Sequence, residues 1–299
     1  MASAILIDSL TKRFRDKRFR VIEAVKNVSL TVNEGEAFGF VGPNGAGKTS
    51  TIKVIMGLNR ADVGRVEIFG MDAVNAQSRS RIAYVPENLY LYDYLTPLEF
   101  LMMGARMHGV ASQGLRRHCM NWLERFDIGH VANKRVRTFS KGMTQRTALA
   151  HAMACEPRML VLDEPLSGLD PVGRRLVVDV LQEYKSQGGT VFFSSHILHD
   201  VERLGDRFGI IHQGVLRTVS SAAELAGEEI GSHVRIVVKA DMQPEGFSHL
   251  SADRWAVVVA RENLWHTLDG LNRAEHAVLQ LEPCGASLEE AFMAYIARL

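Results

Sequence analysis

Eight residues constrain this chain more than any others: Gly42-Pro43-Asn44-Gly45-Ala46-Gly47-Lys48-Thr49. The residues before them, 37–41, are an apolar run of strand length, and from Thr49 to Gly57 apolar residues recur at helical spacing. A strand, a glycine-rich turn and a helix in that order make an anion cradle. Glycines let successive backbone N–H groups curl inward, and the helix N-terminus adds the positive end of its dipole. In such a phosphate loop Lys48 would reach the β- and γ-phosphates and Thr49 would ligate Mg²⁺, so Gly42, Pro43, Asn44, Gly45, Ala46, Gly47, Lys48, Thr49 and Ser50 form the candidate nucleotide-binding set.

The rest of the chain supplies the α/β frame such a loop needs. Residues 4–36 alternate apolar and polar side chains, which predicts half-buried antiparallel strands around a charged loop, Lys12 to Arg20. A helical subdomain is expected over about 88–158, with Leu98–Met107 and Thr147–Cys155 as its clearest stretches. Strand-like runs return at Met159–Leu162, Thr190–Phe193 and Gly209–His212, with a helical stretch at Gly173–Gln187, the rhythm of a parallel sheet flanked by helices. The expected division is a nucleotide-binding domain over 1–222 and a small α+β appendage over 223–299, with strands at Val234–Val238 and Trp255–Val259 followed by mixed helices.

Met159-Leu160-Val161-Leu162-Asp163-Glu164 is an apolar strand ending in two carboxylates, a Walker B pattern. There Asp163 would hold Mg²⁺ through water and Glu164 would act as general base on the attacking water. His196 closes another apolar run, Phe192-Phe193-Ser194-Ser195-His196, where an imidazole can donate to a γ-phosphate and orient the water. At Phe139-Ser140-Lys141-Gly142-Met143-Thr144-Gln145-Arg146, a Ser that can cap a helix and a following Gly offer an anion a hydroxyl, bare N–H groups and a dipole end.

With this segment placed just before the Walker B strand, the chain resembles the ATP-binding-cassette (ABC) ATPase family. That family's signature is L-S-G-G-Q followed by Q-x-R. This chain keeps Ser140, Gly142, Gln145 and Arg146 and departs at Phe139, Lys141 and Met143, a form that resembles exporter-type cassettes. The resemblance spans about residues 4–220 and implies further roles. Asp170, in Ser167-Gly168-Leu169-Asp170, matches the D-loop; His196 matches the switch histidine; Phe14 stands where the family keeps its adenine-stacking aromatic, with Phe19 as its rival. At the Q-loop position stands Glu87, an oxygen donor for Mg²⁺ or water that adds negative charge beside phosphate, with Asn88 as an alternative. Ser140 and Gly142 would grip the γ-phosphate of ATP bound to a second subunit. Glu164 and His196 are then the catalytic pair, and ATP and Mg²⁺ the cofactors. The partners implied are a second ATP-binding subunit, giving a homodimer, and a separate integral membrane permease, which places the chain on the cytoplasmic face of the cell membrane. The Pro283–Ile296 ending, with Ser287-Leu288-Glu289-Glu290-Ala291-Phe292, resembles cassettes of type-2 exporters; the alternative reading is an amphipathic terminal helix docked on its own domain by Leu288, Ala291, Phe292 and Ile296.

Composition narrows the alternatives. With 35 basic against 34 acidic residues the formal net charge is +1, which gives no field for nucleic acid or an anionic bilayer. No apolar run approaches the ~20 residues that span a membrane, so contact with one is expected to run through a partner. Three cysteines without a C-x-x-C pair argue against a zinc site or disulfide framework. A non-transport or regulatory ABC ATPase is the competing function.

Overall fold

The computed structural model describes residues 2–16, 18–221, 224, 233–240, 242–244, 246–251, 253–274 and 276–284. They fall into two compact units, Met1–Ser220 and Ser221–Leu299.

The first unit holds two sheets. Strands β1 (Ser3–Arg15), β2 (Val21–Asn33), β4 (Val63–Ile68) and β5 (Met71–Asp72) form an antiparallel sheet in the order β2-β1-β4-β5. Alternation along β1 and β2 puts Ile5, Ile7, Leu10, Val28, Leu30 and Val32 inside. The predicted charged loop is shorter than expected, because Lys12–Arg15 continue β1 and pair with Val25–Val21. Lys12 keeps its stem against the sheet and pairs its ammonium with Asp62 at 3.0 Å, so charge there does not stop the strand.

The second sheet runs in the order β10-β9-β3-β8-β7-β6, built from β3 (Ala37–Val41), β6 (Ile82–Val85), β7 (Met159–Asp163), β8 (Thr190–Ser195), β9 (Arg207–His212) and β10 (Val215–Ser220). All its pairings are parallel except β9 with β10, a hairpin at the edge. Strands β3, β7 and β8 are buried along their whole length, which is why each carries a continuous apolar stretch rather than an alternation, with buried polar residues at the ends of β7 and β8. Phe38 stacks on Phe192 with centroids 5.9 Å apart, and both are fully buried. Each such ring contributes ~1.5–3 kcal/mol of burial energy.

The helices are α1 (Lys48–Ile55), α2 (Pro97–Met107), α3 (Leu115–Arg125), α4 (Lys141–Ala154), α5 (Pro171–Ser186) and α6 (Leu198–Leu204). Helix α2 opens on a complete capping box, with Thr96 Oγ1 accepting from Glu99 N at 3.2 Å and the Glu99 carboxylate accepting from Thr96 N at 2.9 Å. Cys119 and Cys155 are buried free thiols, and burial raises both pKa values, which suits packing rather than reactivity.

The second unit is an antiparallel sheet in the order β12-β13-β11-β14, from β11 (His233–Lys239), β12 (Ser248–Ser251), β13 (Arg254–Ala260) and β14 (Ala277–Cys284), with helix α7 (Leu264–Arg273). Its core gathers Val234, Ile236, Val238, Phe247 and Leu271. The expected run of mixed helices after Val259 is corrected here: residues 277–284 form a strand, paired along one side with β11. The amphipathic stripe at Leu288, Ala291, Phe292 and Ile296 lies outside the described residues.

Candidate functional site

The site lies at the C-terminal ends of β3, β7 and β8, adjacent parallel strands whose registers place Val41 beside Ser195 and Asp163 beside Ser194. Loops leaving one edge of a parallel sheet converge, so groups far apart in sequence meet there.

The turn from β3 to α1 forms the cradle. Gly47, the N-cap of α1, has φ +111°, and a Cβ on it would fall 2.5 Å from the carbonyl oxygen of Ala24. Only glycine serves both the backbone angle and the close approach. Lys48 then turns back over the loop. Its Nζ, almost fully buried, donates to Gly42 O at 2.6 Å and to Pro43 O at 3.3 Å. Residues 43–50 line a cleft of about 250 Å³ together with Ala24, Glu87 and Glu164. The loop residues Pro43, Asn44, Gly45, Ala46, Gly47, Lys48, Thr49 and Ser50 thus share one cavity with the Glu at the end of β7.

Glu164 is the pivot of the site. Its backbone is left-handed, φ +53°, a strained setting for a residue with a Cβ and one that turns the chain sharply after the strand. Its carboxylate is buried with two partners. Oε1 lies 3.3 Å from Lys48 Nζ as an ion pair without hydrogen-bond alignment, and Oε2 lies 2.7 Å from His196 Nδ1. An ionised carboxylate only accepts, so Nδ1 carries the proton and donates. The neighbouring Asp163 is 1% exposed. Its Oδ1 accepts from Ser194 Oγ at 2.6 Å, and its Oδ2 is buried with no hydrogen-bond partner among the described residues. A buried carboxylate oxygen left orphaned is costly unless something meets it, and a hard cation is the chemistry an Asp oxygen and a Thr hydroxyl would share. The chemistry of the orphaned Asp163 oxygen fits Mg²⁺, and Thr49 and Glu87 supply further oxygen donors on the cleft wall, which Asp163 itself does not line.

Ser140 and Gly142 do not line this cleft. Ser140 caps α4, its Oγ accepting from Met143 N at 3.3 Å, and stands exposed at the helix start. Gly142 lies against the 165–169 loop, where an added Cβ would meet Gly168 O at 3.4 Å. Buried Gln145 ties the same helix to the Walker B end by donating to Pro165 O at 3.0 Å. Asp170 caps α5, accepting from Gly173 N at 3.2 Å, and its remaining surface is exposed. Phe14 sits in β1, partly exposed, with Lys12 Nζ 5.4 Å from its ring centroid; Phe19 is far more exposed, at φ +60°. Neither ring lines the phosphate-loop cleft.

Sequence reasoning passed over three side chains that the structure brings in. Ser194 bridges Asp163 and Glu164. Asp200, buried at the start of α6, accepts from Arg174 of α5 at 3.2 Å; burial raises its pKa and Arg174 opposes that rise. Arg174 and Asp200 are 26 residues apart, so sequence spacing gave no sign of the pair.

A family profile described as ABC transporter matches residues 25–167. An ABC transporter ATP-binding protein of Synechocystis sp. is 40% identical over 215 residues, covering 71% of this chain and 61% of that protein. The daunorubicin resistance ATP-binding protein of Streptomyces coeruleorubidus is 34% identical over 239 residues, covering 79% of this chain and 74% of that protein. A solved structure of an ATP binding subunit of an ABC transporter superposes with a TM-score of 0.68 at 29% identity, covering 75% of this chain and 92% of that one.

Proposed function

The chain belongs to the family of ABC transporter ATP-binding proteins and carries an ABC ATPase domain, and from that premise we propose that it hydrolyses ATP to drive export through a separate membrane subunit. The observation that carries the reading is the Glu164 carboxylate, held between Lys48 and His196 on the wall of the phosphate-loop cleft.

The chain's own residues divide the chemistry. Residues 42–50 hold the phosphates by backbone N–H groups and Lys48, and Phe14 stacks on the adenine. Mg²⁺, when bound by Thr49, Asp163 and Glu87, supplies charge neutralisation for the phosphate oxygens. Glu164 accepts a proton from the attacking water. Its partner His196 fixes the carboxylate's orientation, and donating from Nε2 to phosphate as well requires the imidazolium form.

A homodimer completes the site. Ser140 is exposed, Gly142 is half-buried beside it, and neither lines its own chain's cleft, which supports their service to ATP held by a second copy, with Asp170 at the same interface. ATP binding then shifts the pair toward a closed state and hydrolysis releases it. The export direction is supported by the daunorubicin-resistance relative. Attachment at the cytoplasmic face through a permease is consistent with there being, among the described residues, no helix long and apolar enough to cross a membrane.

The test is light scattering of Glu164→Gln after size exclusion, with and without ATP. Dimerisation with ATP that is abolished by adding Ser140→Arg supports the sandwich. A Glu164→Gln variant that stays monomeric at saturating ATP rejects self-pairing of the isolated chain.

A further inference from the structure

We propose that Ser194 is a positioning residue for both carboxylates of the site: its single hydroxyl aims the free oxygen of Asp163 at the metal and anchors the strained peptide that presents Glu164. The inference rests on the nucleotide and metal reading above.

Ser194 is fully buried near the end of β8, directly beside Asp163 in the parallel register. A hydroxyl has one proton to give and lone pairs to receive with. At 2.6 Å from Asp163 Oδ1, an oxygen that only accepts, that proton is committed to the aspartate. The same Oγ accepts from the backbone N–H of Glu164 at 3.0 Å. Oδ1 is therefore occupied, the Asp163 side chain is fixed in rotation, and Oδ2 is the oxygen left for a cation. The second bond pins the peptide of Glu164, whose backbone is left-handed at φ +53°. The adjacent serine does something different: Ser195 Oγ donates to Ile197 O at 3.0 Å and accepts from Ile197 N at 2.9 Å, a turn contact within its own loop. Two neighbouring serines of the same strand thus divide the work, one closing the turn after the strand and one orienting the acidic pair.

Groups that orient metal ligands without touching the metal typically change metal affinity by ~10–100-fold when removed. The experiment titrates a non-hydrolysable ATP analogue into the full chain by calorimetry, once in EDTA and once in Mg²⁺, for wild type, Ser194→Ala, Ser194→Cys and Ser194→Thr. We expect metal-free affinities within about twofold of one another, and a gain from Mg²⁺ that shrinks at least ~10-fold in Ser194→Ala, shrinks partly in Ser194→Cys and survives in Ser194→Thr, which keeps the hydroxyl. A merely structural serine would lower the melting temperature without separating the two titrations. If Ser194→Ala does not fold, the near-isosteric Ser194→Cys, a weak donor, carries the test alone. A wild type that gains from Mg²⁺ and a folded alanine or cysteine variant that gains equally overturn this proposal alone. A wild type indifferent to Mg²⁺ overturns the metal reading and this proposal with it.

Discussion

At the residue scale, function concentrates in how one carboxylate is held. Glu164 shares its two oxygens between a cation and an imidazole in a buried setting, so replacing it by Gln keeps the shape and removes the base. Glu164→Gln is expected to lower ATP turnover by ~10²–10⁴-fold, the usual worth of a positioned base, while ATP affinity stays near wild type. Phosphate release measured beside nucleotide binding checks this, and a turnover within tenfold of wild type would remove Glu164 from the base role. The same residue shows what was legible in the sequence. Phosphate loop, Walker B acids and the His at the end of Phe192–Ser195 are local patterns, in which a few adjacent residues specify both the conformation and the chemistry. Ser194 stands in the same run as His196, but nothing in that run marks it. Its role depends on lying opposite Asp163, 31 residues away, and on a hydroxyl that reaches Asp163 and the Glu164 peptide together. Parallel register is set by the packing of the whole sheet rather than by spacing, so that pairing appears only in three dimensions.

Among the elements, the contact of α2 with α4 rests on a glycine facing a histidine. A Cβ added at Gly104 would fall 1.9 Å from His151 Nε2, and the ring has little freedom to retreat because it stacks on Phe100 with centroids 4.2 Å apart. Gly104→Ala should gain ~1 kcal/mol of helix propensity and lose ~1–3 kcal/mol to overpacking. A net fall in melting temperature is expected, relieved when His151→Ala is added; a rise in Gly104→Ala alone would show that the ring yields. Burial also lowers the His151 pKa from 6.5 to about 4, with neighbouring His108 acting in the same direction. The folded state then refuses a proton that the unfolded chain accepts. Stability is fully present above pH 6.5, declines as pH falls through that window and levels off near 4. The loss is on the order of 3 kcal/mol. Chemical denaturation of wild type and His151→Gln from pH 7 to 4 measures it, and equal slopes would assign the pH dependence to other groups. Helices α1, α2, α4 and α5 were legible from their apolar spacing, whereas the short α6 was not. Strand β14 was not, because its exposed alternation, with neighbours along one side alone, carries little of the apolar signal that marks β3 or β7.

On the scale of the whole molecule, the question is what receives the work of the ATP site, and the surface between Glu87 and the start of α4 offers an answer. A groove there is lined by Glu87, Asn88, Leu89, Tyr90, Phe139, Lys141, Thr144 and Gln145. Glu87 also lines the phosphate-loop cleft, and Gln145 holds the loop after Glu164, so an occupant of the groove would touch the cleft wall at Glu87 and reach that loop through Gln145. Beside it Tyr90 is 94% exposed, with Tyr92 and Tyr94 paired at 5.8 Å and largely open as well. Large aromatic side chains held at a surface groove are what a docking protein would bury. Under the transporter reading that protein is the membrane subunit. Tyr90→Asp with Tyr92→Asp, both outside the phosphate-loop cleft, should leave ATP turnover of the isolated chain within about twofold while cutting its recovery with membranes that contain the permease by tenfold or more, since each buried ring removed is worth ~1–2 factors of ten. Sedimentation with permease-containing vesicles, read against permease-free vesicles, makes the measurement. Full recruitment of the doubly charged variant would move the docking surface elsewhere on the molecule, and lost turnover in the isolated chain would show instead that the tyrosines support the ATP site itself.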